Sequence, residues 1–142
     1  MSIQWDNSLV LGLDEIDSQH HSIFENFEKL SDAVQQGKPS EIIEELAKFL
    51  FEYTQVHFSC EDEIMVKYNY PKIDVQRYEH GEFTRDANEL KSRIDLEGAT
   101  QEVAIETTGK LLRWIIQHIK KHDKEMVTYV NECIALQQKY EN

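Results

Sequence analysis

The stretch IDVQRYEHGEFTRDANELKSRI, residues 73–94, decides the fold. Within it Ile73, Gln76, His80, Phe83, Ala87, Leu90 and Ile94 follow one another in alternating steps of three and four. That spacing keeps returning to one side of an α-helix, whereas a strand would repeat every second residue. The segment predicts an amphipathic helix that ends near Glu97-Gly98 and turns one face to a core.

Three further stripes of the same period flank it. The first runs through Ile16, His20, Ile23, Phe24, Phe27, Leu30 and Val34 to Gly37-Lys38-Pro39. The second holds Ile43, Leu46, Leu50, Tyr53, His57, Glu61 and Ile64, with Ser40 placed to cap its start. Pro71 cannot continue that helix and restrains Tyr70 before it. The last includes Leu111, Leu112, Ile115, His118, Ile119, Met126, Val130 and Cys133. Helices are therefore expected at about 16–37, 40–67, 72–96 and 100–140 of the 142 residues. With 5 Gly and 2 Pro in the whole chain, no strand candidate stands out. The expected fold is all-α: one domain, an antiparallel up-down-up-down four-helix bundle. An N-terminal arm over about residues 1–15 packs along it, anchored by Trp5 and Leu9.

Charge narrows the function. Fifteen Lys+Arg against 27 Asp+Glu leave a formal net charge of −12, which argues against nucleic acid and anionic membrane surfaces as partners and suits a cation binder. No run approaches the ~18 apolar residues of a membrane span, and Met1-Ser2-Ile3-Gln4 opens no signal peptide. The expected location is cytoplasmic. Cys60 and Cys133 form no C-x-x-C motif and read as free thiols.

Polar residues interrupt every stripe. His20, His57, Glu61, Gln76, His80 and His118 all take core-facing positions, with at least one from each helix. An unpaired buried polar group costs about 1–3 kcal/mol, so six need a common partner. One histidine on an apolar stripe is ordinarily a core residue bonded to a neighbour; four helices each placing one inward point to a metal ion. His57 and Glu61, like Gln76 and His80, stand four apart, within about 40° on a helix, and can converge on one point. His21 and Cys60 sit one step from His20 and Glu61, about 100° around, and are left off the ligand set. The fourth helix is ambiguous. Plain periodicity pairs His118 with His122, whereas Asp123, five residues on, lies about 140° around unless a π-bulge intervenes.

These residues resemble the hemerythrins, in particular the single-domain bacteriohemerythrins. Trp5 and Leu11-Gly12-Leu13 look like the family's arm, and Asp17-Ser18-Gln19-His20 looks like its D-x-Q-H motif. His57-Phe58-Ser59-Cys60-Glu61, with Met65 trailing, is similar to H-F-x-x-E. Tyr70-Pro71 and then His80-Gly81-Glu82-Phe83 resemble Y-P…H-x-x-x-H-x-x-F. Trp114 to Ile119, then Asp123, resembles W-[LI]-x-x-H-I-x-x-x-D. The likeness spans almost the whole chain.

The resemblance implies two non-haem iron ions that bind dioxygen reversibly, for transport, storage or sensing. One iron would take His20 and His57 and keep an open position. The other would take His80, His118 and the residue in one remaining slot. Glu61 and Asp123 would bridge them together with an oxo or hydroxo group, so the resemblance selects Asp123 over His122. Charge agrees, since two carboxylates and a hydroxide offset three of the four charges of two ferrous ions. Phe24, Trp114 and Ile115 would wall a dry dioxygen pocket, and ordinary core packing accounts for them equally well. The expected assembly is a monomer or weak homo-oligomer, with any signalling or redox partner a separate protein.

One position departs from the pattern. Gln76 stands where the family has a histidine. A neutral amide oxygen is a poorer iron donor than imidazole, so Gln76 ligates weakly, water fills the place, or the second iron binds poorly. Each outcome opens a position that is normally closed. That favours a second reading, a di-iron redox enzyme of peroxide, nitric oxide or ferroxidase chemistry.

Overall fold

A computed structural model of the protein describes residues 5–98 and 100–141; Met1 to Gln4, the first residues of the expected arm, lie outside them. Helix α1 spans Asp14–Gln35, α2 Ser40–Lys67, α3 Ile73–Glu97 and α4 Gln101–His118. A π-helical turn, Ile119–Asp123, joins α4 to α5, Lys124–Glu141. Backbone angles stay helical through both junctions, so α4, the π turn and α5 form one rod and supply the bundle's fourth helix. No strand occurs among the described residues, and no helix is long and apolar enough to cross a membrane.

Tight caps turn the chain. Gly37 has φ +66, and Lys38 N–H donates to Ala33 O at 3.0 Å, which ends α1 two residues before the expected boundary. Asn69 does the same for α2: its φ is 52, and Tyr70 N–H donates to Met65 O at 2.9 Å. Pro39, not Ser40, is the N-cap of α2; Ser40 is its first residue, with its hydroxyl 3.4 Å from Glu44 Oε1. Thr100 caps α4, its hydroxyl oxygen accepting from Val103 N–H at 3.3 Å. Connections this short leave successive helices antiparallel, α1 and α3 each packing against α2 and α4.

The apolar stripes bury two clusters. The larger gathers Phe24, Phe27, Leu30, Leu50, Phe58, Phe83, Leu90, Leu111 and Ile115. The smaller holds Ile16, Met65, Tyr70, Met126, Val127 and Val130. Between them lies a polar layer to which every helix of the bundle contributes.

The arm is tied to the bundle at both ends of the chain. Leu9 is buried, and Trp5 meets Phe24 and His21 edge-on. Asp17, at the start of α1, accepts hydrogen bonds from Leu11 N–H (2.8 Å) and Gly12 N–H (3.0 Å), while Asn131 Nδ2 donates to Gly12 O. Asp17→Ala removes two charge-assisted bonds at a partly exposed site, and a loss of about 1–2 kcal/mol is expected. Urea unfolding checks the loss; helical circular dichroism should stay unchanged, and proteolysis near Leu11 should speed up.

Candidate metal centre

Each helix delivers its polar residues to the same level. His20 comes from α1, His57 and Glu61 from α2, Gln76 and His80 from α3, His118 from the end of α4 and Asp123 from the π turn. None is more than 8 % exposed. The π turn settles which residue of the fourth helix faces inward. Lys124 N–H donates to Ile119 O, five residues back, and a turn of that kind holds one residue more than an α turn. Asp123 therefore takes the inward place that His122 would hold on a regular helix. His122 swings to the rim, where its Nε2 lies 3.2 Å from Glu79 Oε1 and its ring stacks on His118.

The inward atoms form two overlapping groups. His20, His57, Glu61 and Asp123 offer ligand atoms all within 4.8 Å of one another, and so do Glu61, His80, His118 and Asp123. Glu61 and Asp123 belong to both. His57 Nε2 lies 2.8 Å from Glu61 Oε1, His20 Nε2 3.1 Å from Asp123 Oδ2 and His118 Nε2 3.1 Å from Asp123 Oδ1. His80 Nε2 is 3.6 Å from Glu61 Oε1.

These contacts bring charge together without satisfying it. Both oxygens of Glu61, both ring nitrogens of His20 and His118, His80 Nε2, Asp123 Oδ2 and Gln76 Oε1 are buried without a hydrogen bond. Every buried side-chain nitrogen or oxygen left unbonded among the described residues belongs to this one cluster. Orphan atoms are costly in a core, and imidazole nitrogens and carboxylate oxygens are the donors that iron, zinc or manganese accepts. The residues present fit a metal ion in either group.

Gln76 lies in the layer, yet its contacts differ from a ligand histidine's. Its Nε2 donates to Asp123 Oδ1 at 2.9 Å and reaches toward His122 O at 3.5 Å. Its Oε1 is the orphan.

The walls are aromatic and aliphatic. Phe58 stacks on His80 at 3.9 Å between centroids, and Trp114 on His118 at 4.6 Å. Phe24 and Ile115 are buried in the larger apolar cluster, whereas Trp114 is only partly buried and packs against it. His80, the most exposed of the set, borders an open cleft lined by Phe58, Asp62 and Thr84; Arg77 crosses its rim to Asp62 with bonds of 2.7 and 3.1 Å.

A residue outside the sequence-predicted set supports the site from behind. Gln19 Oε1 lies 2.6 Å from His57 Nδ1, and Gln19 Nε2 donates to Cys60 Sγ at 3.3 Å. Its place beside His20 in D-x-Q-H was the one available signal, but one sequence does not say which helix it faces.

Titration follows from the same packing. Burial opposes ionisation of Glu61 and Asp123, and the charge of Asp123 opposes Glu61 further, yet the histidines hold both pKa values below the ordinary range. For His57 and His118 burial works against the charged form, but the charge of Glu61 on one and Asp123 on the other raises both values. Histidines so raised contribute stability that is full below about pH 6.5 and lost as pH climbs through their folded values. The lowered carboxylates contribute stability present above about pH 4 and lost as pH falls through theirs. Chelator-treated protein should therefore melt highest between about pH 4.5 and 6.5 and at lower temperature by about pH 9. A melting temperature that climbs from pH 6 to 9 would contradict this.

Comparison with known proteins gives one picture. A family model, the hemerythrin HHE cation binding domain, matches residues 11–130. A bacteriohemerythrin of Pseudomonas aeruginosa is 33% identical over 131 residues, covering 92% of this chain and 83% of its own. A myohemerythrin of Theromyzon tessulatum is 27% identical over 120 residues, covering 84% of this chain and 87% of its own. The crystal structure of a wild-type hemerythrin superposes with a TM-score of 0.79 at 25% identity, covering 89% of this chain and 96% of that one.

Proposed function

Because this chain belongs to the hemerythrin family, we propose that it holds two non-haem iron ions and binds dioxygen. The observation that carries the reading is the pair of overlapping donor groups sharing Glu61 and Asp123, which hold every orphaned buried side-chain atom among the described residues except Gln76 Oε1. His20 and His57 would hold one iron and leave it an open position. His80 and His118 would hold the other, and Glu61 and Asp123 would bridge the two with an oxo or hydroxo group. When bound, the iron pair supplies the electrons that reversible uptake of dioxygen requires.

The protein's own groups do the rest. Glu61 and Asp123 neutralise cationic charge that an apolar core would otherwise reject. Gln19 Oε1 accepts from His57 Nδ1–H, which turns the ring's Nε2 inward as a free donor. Phe24, Ile115 and Trp114 are proposed as walls that keep water, and so protons, from the bound gas. Gln76 leaves the second iron with a neutral oxygen donor or an exchangeable water in place of imidazole. This departure favours a second reading, a di-iron enzyme handling peroxide, nitric oxide or ferrous iron. A cytoplasmic monomer or weak oligomer, with a separate redox or signalling partner, completes the proposal.

The deciding experiment is the visible spectrum of the iron-loaded, anaerobically reduced protein before admitting dioxygen, after admitting it and after removing it. A charge-transfer band that comes and goes with the gas is expected of a carrier. A band that never reverses would favour the enzyme, and a colourless protein would sink both. Gln76→His closes the exchangeable position and should slow autoxidation severalfold, measured as decay of that band in air; an unchanged rate would remove Gln76 from the account.

A further inference from the structure

Behind His57 a hydrogen-bond chain crosses from α2 to α1 and out to solvent. His57 Nδ1 lies 2.6 Å from Gln19 Oε1, Gln19 Nε2 3.3 Å from Cys60 Sγ, and Cys60 Sγ 3.1 Å from Glu15 Oε1. Glu15 and Gln19 stand four apart on α1, His57 and Cys60 three apart on α2, so the chain zigzags along one helix–helix seam.

We propose that Glu15 and Cys60 are positioning residues that set the direction of this chain and thereby leave His57 Nε2 unprotonated toward the metal. The inference rests on the metal centre proposed above. An ionised carboxylate can only accept, so Glu15 takes the Cys60 S–H. The sulfur is then left with lone pairs and accepts from Gln19 Nε2. An amide's two ends are nearly equal in shape, and this contact decides which end faces His57. Gln19 therefore presents its oxygen, the Nδ1 proton is held there, and the ring's second nitrogen is free to ligate. Without Cys60 or Glu15 only the cation itself opposes the flipped amide. The flipped form donates to Nδ1, moves the ring proton to Nε2 and aims an N–H at the cation. Losing an outer-shell partner of a ligating histidine typically weakens metal affinity by about 10- to 100-fold.

The test uses cobalt(II) alone as probe on the full chain stripped with chelator, and four proteins: wild type, Cys60→Ala, Gln19→Glu and the double variant. Cys60→Ala should weaken Co2+ binding about tenfold when residue 19 is Gln, and less than about threefold when it is Glu. A carboxylate at position 19 accepts from His57 whichever way it turns, so the chain's direction no longer matters. Its added charge strengthens binding equally with and without Cys60 and cancels in the cycle. Equal losses in both backgrounds, or no loss with Gln19, would overturn the proposal. Should Cys60→Ala fail to fold by circular dichroism, Glu15→Ala at the exposed end substitutes for it, with the same pattern expected. Wild type that takes up no Co2+ would sink the metal centre and the chain together, whereas an additive cycle sinks the chain alone.

Discussion

Glu61 and Asp123 are carboxylates buried in a polar layer between two clusters of hydrocarbon. Burial opposes their charge, and Asp123 adds repulsion on Glu61. Nothing in a four-helix core of Leu, Ile and Phe would tolerate that pair unaided. The histidines surround them because positive or metal-directed partners must come from every side, and each helix can reach the axis with only a residue or two per level. The caps at Gly37, Asn69 and Thr100 act at a distance on the same problem. They fix the length and phase of each helix, and so the height at which its polar residues meet the others.

Much of this was legible in one sequence, for a physical reason. The 3.6-residue period is a local property, and a polar residue on an apolar stripe is visible without knowing its partner. Residues 73–94 showed both together: a clean stripe, with Gln76 and His80 breaking it. Gln76 stood out as a departure because the family pattern supplied an expectation for its place. Asp123 was harder. An ideal helix turns it away, and only a π turn, which no local propensity announces, brings it inward. The early end of α1 was hidden in the same way, since Gly37 adopts its left-handed conformation only once the turn forms. Gln19 had one signal, its place in D-x-Q-H, and its partner Cys60 had none. Their meeting depends on how α1 and α2 are rotated against each other, and one stripe per helix does not set that rotation to within a side chain.

Gln76 shows how a single substitution changes a shared site. Its amide keeps the volume and burial of the position but reverses part of the polarity, because its nitrogen donates to Asp123. A histidine ligating from the same place would leave both oxygens of Asp123 to cations; here one also receives an amide proton. Asp123 belongs to both donor groups, so the effect of that bond reaches both.

Trp114 carries a consequence of another kind. Its indole lies flat on His118, 4.6 Å away and 11° from parallel, while Trp5, the chain's second tryptophan, stands at the arm against Phe24 and His21. Any coloured centre held by His118 would drain the excited state of the nearer indole by energy transfer. The protein's ultraviolet fluorescence would thus register occupancy and oxidation at the bundle's middle, and no label would have to be attached.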